Sequence, residues 1–319
     1  MARAKPALGA EHQAVGDSAS GRARTRGWAA TSIGDPASRT TLGAGPGLQS
    51  AQTASVSDVS RVRVEVQGLS KTFTTGGRGV PAVASVSFEV RDKEFVALVG
   101  PSGCGKSTVL NMIAGLVPPT SGEIRVDGLP QRGVPREVGY VFQKDTVFPW
   151  RTVRHNVGLG LEYRGLPPAE RERRVREAIR LVGLEGFEDA FPATLSGGMR
   201  QRVALMRTLV VDPEILLMDE PFGALDTHTK LRLQAQLLDL WLRKRQTVIF
   251  VTHDLAEAIT LADRVIVLTS RPGRVKLIHE VKLPRPRDVI RIRETEGYAR
   301  EFSALWHVLG EEFAKSTAE

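Results

Sequence analysis

The octapeptide GPSGCGKS (Gly100–Ser107) constrains this chain more than any other stretch. It satisfies G-x-x-x-x-G-K-[ST] and stands between the apolar run FVALV (Phe95–Val99) and a helical pattern, the context that this motif requires. An apolar run bounded in this way fits a strand covered on both faces. Gly100, Gly103 and Gly105 let the backbone wrap closely, turning amide N–H groups toward an anion. The N-terminus of the following helix adds positive potential. Lys106 supplies a mobile cation for the outer phosphates of a nucleotide, and Ser107 offers its hydroxyl to Mg²⁺.

The rest of the chain extends this unit. Alternation in VRVEV (Val62–Val66) and SVSFEV (Ser85–Val90) predicts half-buried strands. ILLMD (Ile215–Asp219), TVIFVT (Thr247–Thr252) and RVIVLT (Arg264–Thr269) read as further buried strands, separated by helical patterns at His228–Arg245 and Asp254–Ala262. Strands alternating with helices predict an α/β fold with a largely parallel core sheet. Between about residues 145 and 195 no strong strand signal occurs. Pro167–Leu184 places Val175, Ala178, Ile179 and Val182 on one helical face, so this stretch reads as a helical insertion.

A second set of residues completes a nucleotide site. ILLMDE (Ile215–Glu220) ends a buried strand in two carboxylates, as the Walker B pattern does. Asp219 would hold Mg²⁺ through water, and Glu220 would polarise an attacking water. LSGGMRQR (Leu195–Arg202) then begins a helix with Ser196 as N-cap and Gly197–Gly198 exposing backbone N–H groups. That is a second anion-binding end in a chain that already has one, and it suits the nucleotide of another molecule.

Together these motifs resemble the ATP-binding subunit of ABC transporters, in family order across about Val62–Arg287. In that resemblance Gln143 in VGYVFQ is the Q-loop glutamine, which contacts Mg²⁺ and the attacking water. GALD (Gly223–Asp226) is the D-loop, and His253 in FVTHD is the switch histidine. Glu220, His253, Gln143 and Lys106 are the implied catalytic set. Ser107, Gln143 and Asp219 are the implied metal set. Nucleotide contacts are implied for Gly100, Pro101, Ser102, Gly103, Cys104, Gly105, Lys106, Ser107 and Thr108. Nucleotide contacts are likewise implied for Ser196, Gly197, Gly198 and Asp226, in a head-to-tail dimer with a second copy of the chain that sandwiches two ATP molecules and sets Ser196 and Gly198 against the partner's γ-phosphate. Phe73 in LSKTF matches the A-loop aromatic that stacks on adenine. The implied fold is a P-loop NTPase ABC cassette with an antiparallel β subdomain beside the core sheet.

Finer features are similar to the nitrate/sulfonate/taurine branch of importers: FPWRTVRHNV (Phe148–Val157), the Met-Arg form of the signature, LLMDEPFGALD and LADRVIVLTSRPGR (Leu261–Arg274). RDKEF (Arg91–Phe95), ALMRTLV (Ala204–Val210) and DTHTK (Asp226–Lys230) depart from the usual pattern outside the nucleotide chemistry. The resemblance implies membrane permease subunits as partners, and Phe148, Pro149 and Trp150 read either as an apolar patch where a coupling helix docks or, for Trp150, as internal packing. It also implies an extracytoplasmic solute-binding protein and a place at the cytoplasmic face of the plasma membrane.

Composition supplies the remaining limits. Of the first sixty residues, 37 are Ala, Gly, Ser, Thr or Pro, and large apolar residues are sparse, which predicts a disordered extension over 1–60. The cassette is expected over 61–287 and a C-terminal helical segment over 288–319. There, Tyr298, Phe302, Leu305, Leu309 and Phe313 form a stripe suited to core or dimer packing. No apolar run reaches the length of a membrane span. Cys104 stands alone, which excludes an intramolecular disulfide and multi-cysteine metal sites, and it reads as a small packing residue. The formal charge of +8 admits nucleic acid as a partner. A soluble ABC ATPase acting on nucleic acid, or a regulatory module, is therefore the competing reading. The coiled-coil and zinc modules of such proteins are not visible, so no nucleic acid is expected.

Overall fold

The computed structural model describes residues 61–317. The extension expected over 1–60 lies outside the described residues. The chain begins with the antiparallel hairpin of β1 (Val62–Thr75) and β2 (Arg78–Arg91). β3 (Phe95–Val99) then leads through the glycine-rich loop into α1 (Lys106–Ile113). β4 (Ser121–Val126), β5 (Leu129–Pro130) and β6 (Val138–Val141) follow. Four helices come next: α2 (Val153–Val157), α3 (Leu159–Tyr163), α4 (Pro168–Leu181) and α5 (Gly197–Leu209). The last half of the core runs β7 (Ile215–Asp219), α6 (Thr227–Lys244), β8 (Thr247–Val251) and α7 (Leu255–Leu261). β9 (Arg264–Leu268), β10 (Val275–Glu280) and α8 (Glu296–Thr317) complete the described chain.

Two sheets result. One is antiparallel, in the order β2-β1-β4-β5. The other has the order β10-β9-β3-β8-β7-β6, parallel throughout except for β10 on β9. The continuous apolar runs are explained by what covers them. Phe95, Ala97 and Val99 of β3 enter one hydrophobic cluster with the helices, whereas Val96 and Leu98 enter another with α1 and the antiparallel sheet. β7 and β8 divide their side chains in the same way, so neither face of these strands meets water. Each such buried side chain contributes about 1.5–3 kcal/mol of transfer free energy. Phe95 anchors the helical side by edge contacts with Trp241 and Phe250, at centroid distances of 5.8 and 6.0 Å.

The insertion is helical, as the sequence pattern predicts. Val175, Ala178 and Ile179 of α4 are buried, and Pro168 occupies its first turn. The C-terminal helix also forms, with Tyr298, Leu305 and Leu309 buried in the larger cluster. Its stripe departs from the predicted one at the end. Phe313 is exposed, and the inward position is taken by Glu312. The step from Leu309 to Glu312 is the i, i+3 step that keeps a residue on the same helical face. Arg287 is buried and donates to the carbonyls of Ile259, Thr260 and Ala262, closing the end of α7. Burial pulls its guanidinium down to about 10. Among the described residues, no helix is long and apolar enough to cross a membrane.

Candidate functional site

The ends of β3, β7 and β8 bring the predicted chemistry to one rim. After β3 the chain turns back over itself, and Gly105 has φ +97°, where L side chains rarely fit. A Cβ there would lie 2.7 Å from Val83 Cγ2 and 2.9 Å from the Ala82 carbonyl, so the loop packs directly on β2. Lys106 is buried, and its Nζ donates to the carbonyls of Gly100 and Pro101, each at 2.9 Å. Ser102 and Gly103 are exposed at the tip, while Pro101 and Cys104 are buried and Thr108 is half-buried on α1. Cys104 is therefore the packing residue that the sequence suggests, and burial pushes its thiol up.

Ser107 Oγ donates to Asp219 Oδ1 at 2.9 Å, which joins α1 to the end of β7. Burial raises the Asp219 carboxyl above its ordinary value, and the Ser107 hydrogen bond opposes that shift. Next along the chain, Glu220 adopts φ +46°, a left-handed conformation uncommon for a residue with a side chain. Three backbone contacts hold it there. Its N–H donates to the Val251 carbonyl at 3.0 Å, and its own carbonyl accepts from Gly223 N–H at 3.1 Å and Gln201 Nε2 at 3.4 Å. The carboxylate meets Gln143 Nε2 at 3.1 Å and His253 Nδ1 at 3.2 Å, both to Oε2. Gln143, Glu220 and His253 thus converge from three separate segments of sequence.

The signature residues lie elsewhere. Ser196 caps α5 by accepting from Met199 N–H at 3.2 Å, and Ser196 and Gly197 are exposed. Gly198 packs toward Ala224 and Leu225. Among the described residues, no hydrogen bond joins Ser196–Gly198 to the loop at 100–108. Asp226 caps α6 by accepting from Thr229 N–H at 3.0 Å, and that contact holds its carboxyl below the usual range. Phe73 is 40% exposed near the end of β1, with Lys71 Nζ 5.3 Å from its ring centroid.

Sequence reasoning assigned no role to Gln201. Buried on α5, it donates to the Glu220 carbonyl and accepts from Ala224 N–H at 3.1 Å, so it ties the signature helix to the segment after β7. Arg200 adds a second tie, to Asp145 at 2.7 Å. The available signal was a long polar side chain among the inward positions of an amphipathic helix.

A parallel sheet whose strand ends carry a glycine-rich loop, an Asp-Glu pair and a histidine has the architecture of a P-loop nucleoside triphosphatase. The family model described as ABC transporter matches residues 83–223. An uncharacterized ABC transporter ATP-binding protein of Methanocaldococcus jannaschii is 49% identical over 259 residues, covering 81% of this chain and 96% of that protein. A taurine import ATP-binding protein of Rhizobium johnstonii is 50% identical, covering 62% and 76%. A nitrate import ATP-binding protein of Synechocystis is 45% identical, covering 70% and 84%. Among solved structures, the dimeric post-hydrolysis state of an ATP-binding cassette with ADP and Pi is 32% identical. It has a TM-score of 0.64 and covers 69% of this chain and all of that one. The chain belongs to the ATP-binding subunits of ABC transporters. It is an ATPase of a transport system, and its relatives include the taurine and nitrate importers whose branch its motifs resemble.

Proposed function

We propose that this chain hydrolyses ATP to power import of a small anionic or sulfonate-like solute, such as nitrate, an alkanesulfonate or taurine, through a partner permease. The observation that carries the enzymatic part is the Glu220 carboxylate, held by Gln143 and His253 beside the Ser107–Asp219 pair. Glu220 accepts a proton from the attacking water and orients it, while His253 and Gln143 fix the carboxylate and the water between them. Lys106 leaves its loop carbonyls for the outer phosphates. The hydroxyl of Ser107, the carboxylate of Asp219 and the amide oxygen of Gln143 are hard oxygen donors, the set that fits Mg²⁺. When bound, that ion neutralises phosphate charge. Phe73, exposed on β1 opposite Val80 of the strand on which the loop packs, offers its ring to adenine.

The exposed N-terminus of α5 supports a head-to-tail dimer in which Ser196, Gly197 and Gly198 meet the γ-phosphate held by a second copy, with Asp226 near the same junction. We assign residues 61–287 to the cassette, about 145–195 to its helical subdomain and 288–319 to a C-terminal helical segment. The stacked pair Phe148 and Trp150, with Trp150 70% exposed, supports this patch as the permease docking surface. The complex would lie at the cytoplasmic face of the membrane, served by an extracytoplasmic solute-binding protein. The names of the relatives support the solute class.

Glu220→Gln tests the hydrolytic role: ATP binding is retained and turnover is nearly abolished. Unchanged steady-state hydrolysis would sink the assignment. Uptake of radiolabelled taurine, alkanesulfonate and nitrate by a deletion strain, with and without the gene restored, tests the solute class.

A further inference from the structure

A carboxylate far from the rim in sequence shares a continuous path of contacts with the phosphate loop. Glu312 on α8 is 1% exposed, a place where carboxylates are rare unless paired. It accepts from the Ser270 N–H at 3.0 Å and from Lys276 Nζ at 2.8 Å. Ser270 opens the loop between β9 and β10. That loop is closed at its base, with Thr269 N–H donating to the Arg274 carbonyl and Arg274 N–H donating to Thr269 Oγ1.

Next to this base, Gly273 reaches both β2 and the phosphate loop. Its N–H donates to the Ala82 carbonyl at 3.0 Å, and its carbonyl accepts from Ala84 N–H at 2.9 Å. A Cβ at this position would lie 2.1 Å from the Cys104 carbonyl oxygen, so backbone meets backbone where no side chain fits. Gly105, next to Cys104, packs on Ala82 and Val83 from β2. The segment Cys104–Gly105 is therefore held between β2 and the 270–274 loop, and Glu312 holds the start of that loop.

We propose that Glu312 is a positioning residue for ATP binding, acting through Ser270 and Gly273 to keep the Cys104–Gly105 backbone in its phosphate-binding shape. This rests on the reading of residues 100–107 as the phosphate loop. Without the carboxylate, the Ser270 N–H loses its acceptor and the 270–274 loop relaxes. Gly273 then withdraws from Cys104. Glu220 lies outside this path, at the end of β7, so the chemical step is unaffected once ATP saturates the site. The signature is a raised KM at constant kcat.

The test compares three variants of the full chain: Glu312→Ala, Glu312→Gln and Glu301→Gln. Glu301 also tethers α8, pairing with His279 and accepting from Lys282 N–H, but it has no hydrogen bond to the 270–274 loop among the described residues. ATP KM and kcat are read together with the rate of N-ethylmaleimide alkylation of Cys104, the chain's single cysteine, in the absence of nucleotide. Glu312→Ala is expected to raise both KM and the alkylation rate about three- to tenfold. The amide oxygen of Glu312→Gln still accepts from Ser270, so its values fall between. Glu301→Gln lowers the melting midpoint and leaves KM and the alkylation rate at wild-type values.

Wild-type values in Glu312→Ala would overturn the proposal. So would Glu301→Gln reproducing the Glu312→Ala changes, because undocking of α8 would then account for them. If Glu312→Ala does not fold, a rise in both readouts for Glu312→Gln supports the proposal and no rise overturns it. ATP protection of wild-type Cys104 separates the two levels. No protection overturns the phosphate-loop reading, whereas protection with unchanged Glu312 variants overturns only the positioning role.

Discussion

The rim at the ends of β3, β7 and β8 and the helical segment α2–α4 use charge in opposite ways. At the rim, Lys106 and Asp219 are buried, and the Glu220 carboxylate meets two named side chains at 3.1 and 3.2 Å. Along α4, by contrast, Glu170, Arg173, Arg174 and Glu177 form ion pairs at i, i+3 and i, i+4 spacing. Arg173 and Arg174 hold the Glu170 carboxyl down at about 2, yet this group is exposed to solvent. Water and salt screen such pairs, whereas the Ser107 hydrogen bond to the buried Asp219 carboxylate acts in a lower dielectric. The two regions therefore differ in what a single substitution can remove. The rim concentrates the proposed function in a few atoms, and the insertion spreads its charge over many that each matter little.

The sharpest separation comes from Glu220→Gln, which keeps the size and one acceptor of the side chain while removing its basicity. Steady-state ATP turnover should fall about a thousandfold, and nucleotide binding by fluorescence titration should persist. Gln201→Ala tests whether the rim extends to α5. It strips a partner from Ala224 N–H and from the Glu220 carbonyl, and should lower kcat about tenfold and cost about 1–3 kcal/mol in urea unfolding. Trp150→Ala should leave ATP affinity within about twofold while co-purification with the permease is lost. A large change in ATP affinity would break the division between regions. The smallest effect belongs to Arg173→Ala, despite its bonds to Glu170 and Glu177. Its melting midpoint should move by no more than about 2 °C.

Legibility in the sequence followed the physical setting of each element. β3, β7, β8 and β9 are covered on both faces, so their apolar runs announced them with nearly the observed boundaries. β1 and β2 proved longer than the alternation suggested, because register shifts within their pairing interrupt the period of two. β4, β5, β6 and β10 are short or half-exposed, and VGYV in β6 contains a glycine, so periodicity alone did not reveal them. At the site, the motifs located Lys106, Ser107, Asp219, Gln143, Glu220 and His253, which the fold brings to one rim. Gln201 left only its inward place on the helix as a signal and Glu312 left none, because a buried polar side chain takes a role only once its partner is known. Glu312 acquires meaning from Ser270 and Lys276, on a loop and a strand that its own helix does not specify.

The pairing of β6 with β7 has a consequence for how this enzyme tolerates change. Val141 lies opposite Met218, and two residues past each of these marks, just beyond the strand ends, Gln143 and Glu220 touch. The strands thus act as a vernier scale: the reading at one mark sets the alignment at the next. Losing one residue within β6 would shift the rest of the strand by about 3.3 Å, turn its side chains to the opposite face and draw Gln143 away from Glu220. Residues 138–142 are therefore constrained in number as well as in kind, since a Cβ at Gly139 would lie 2.7 Å from Pro213 Cγ and Val141 is buried. Their count is itself a functional quantity.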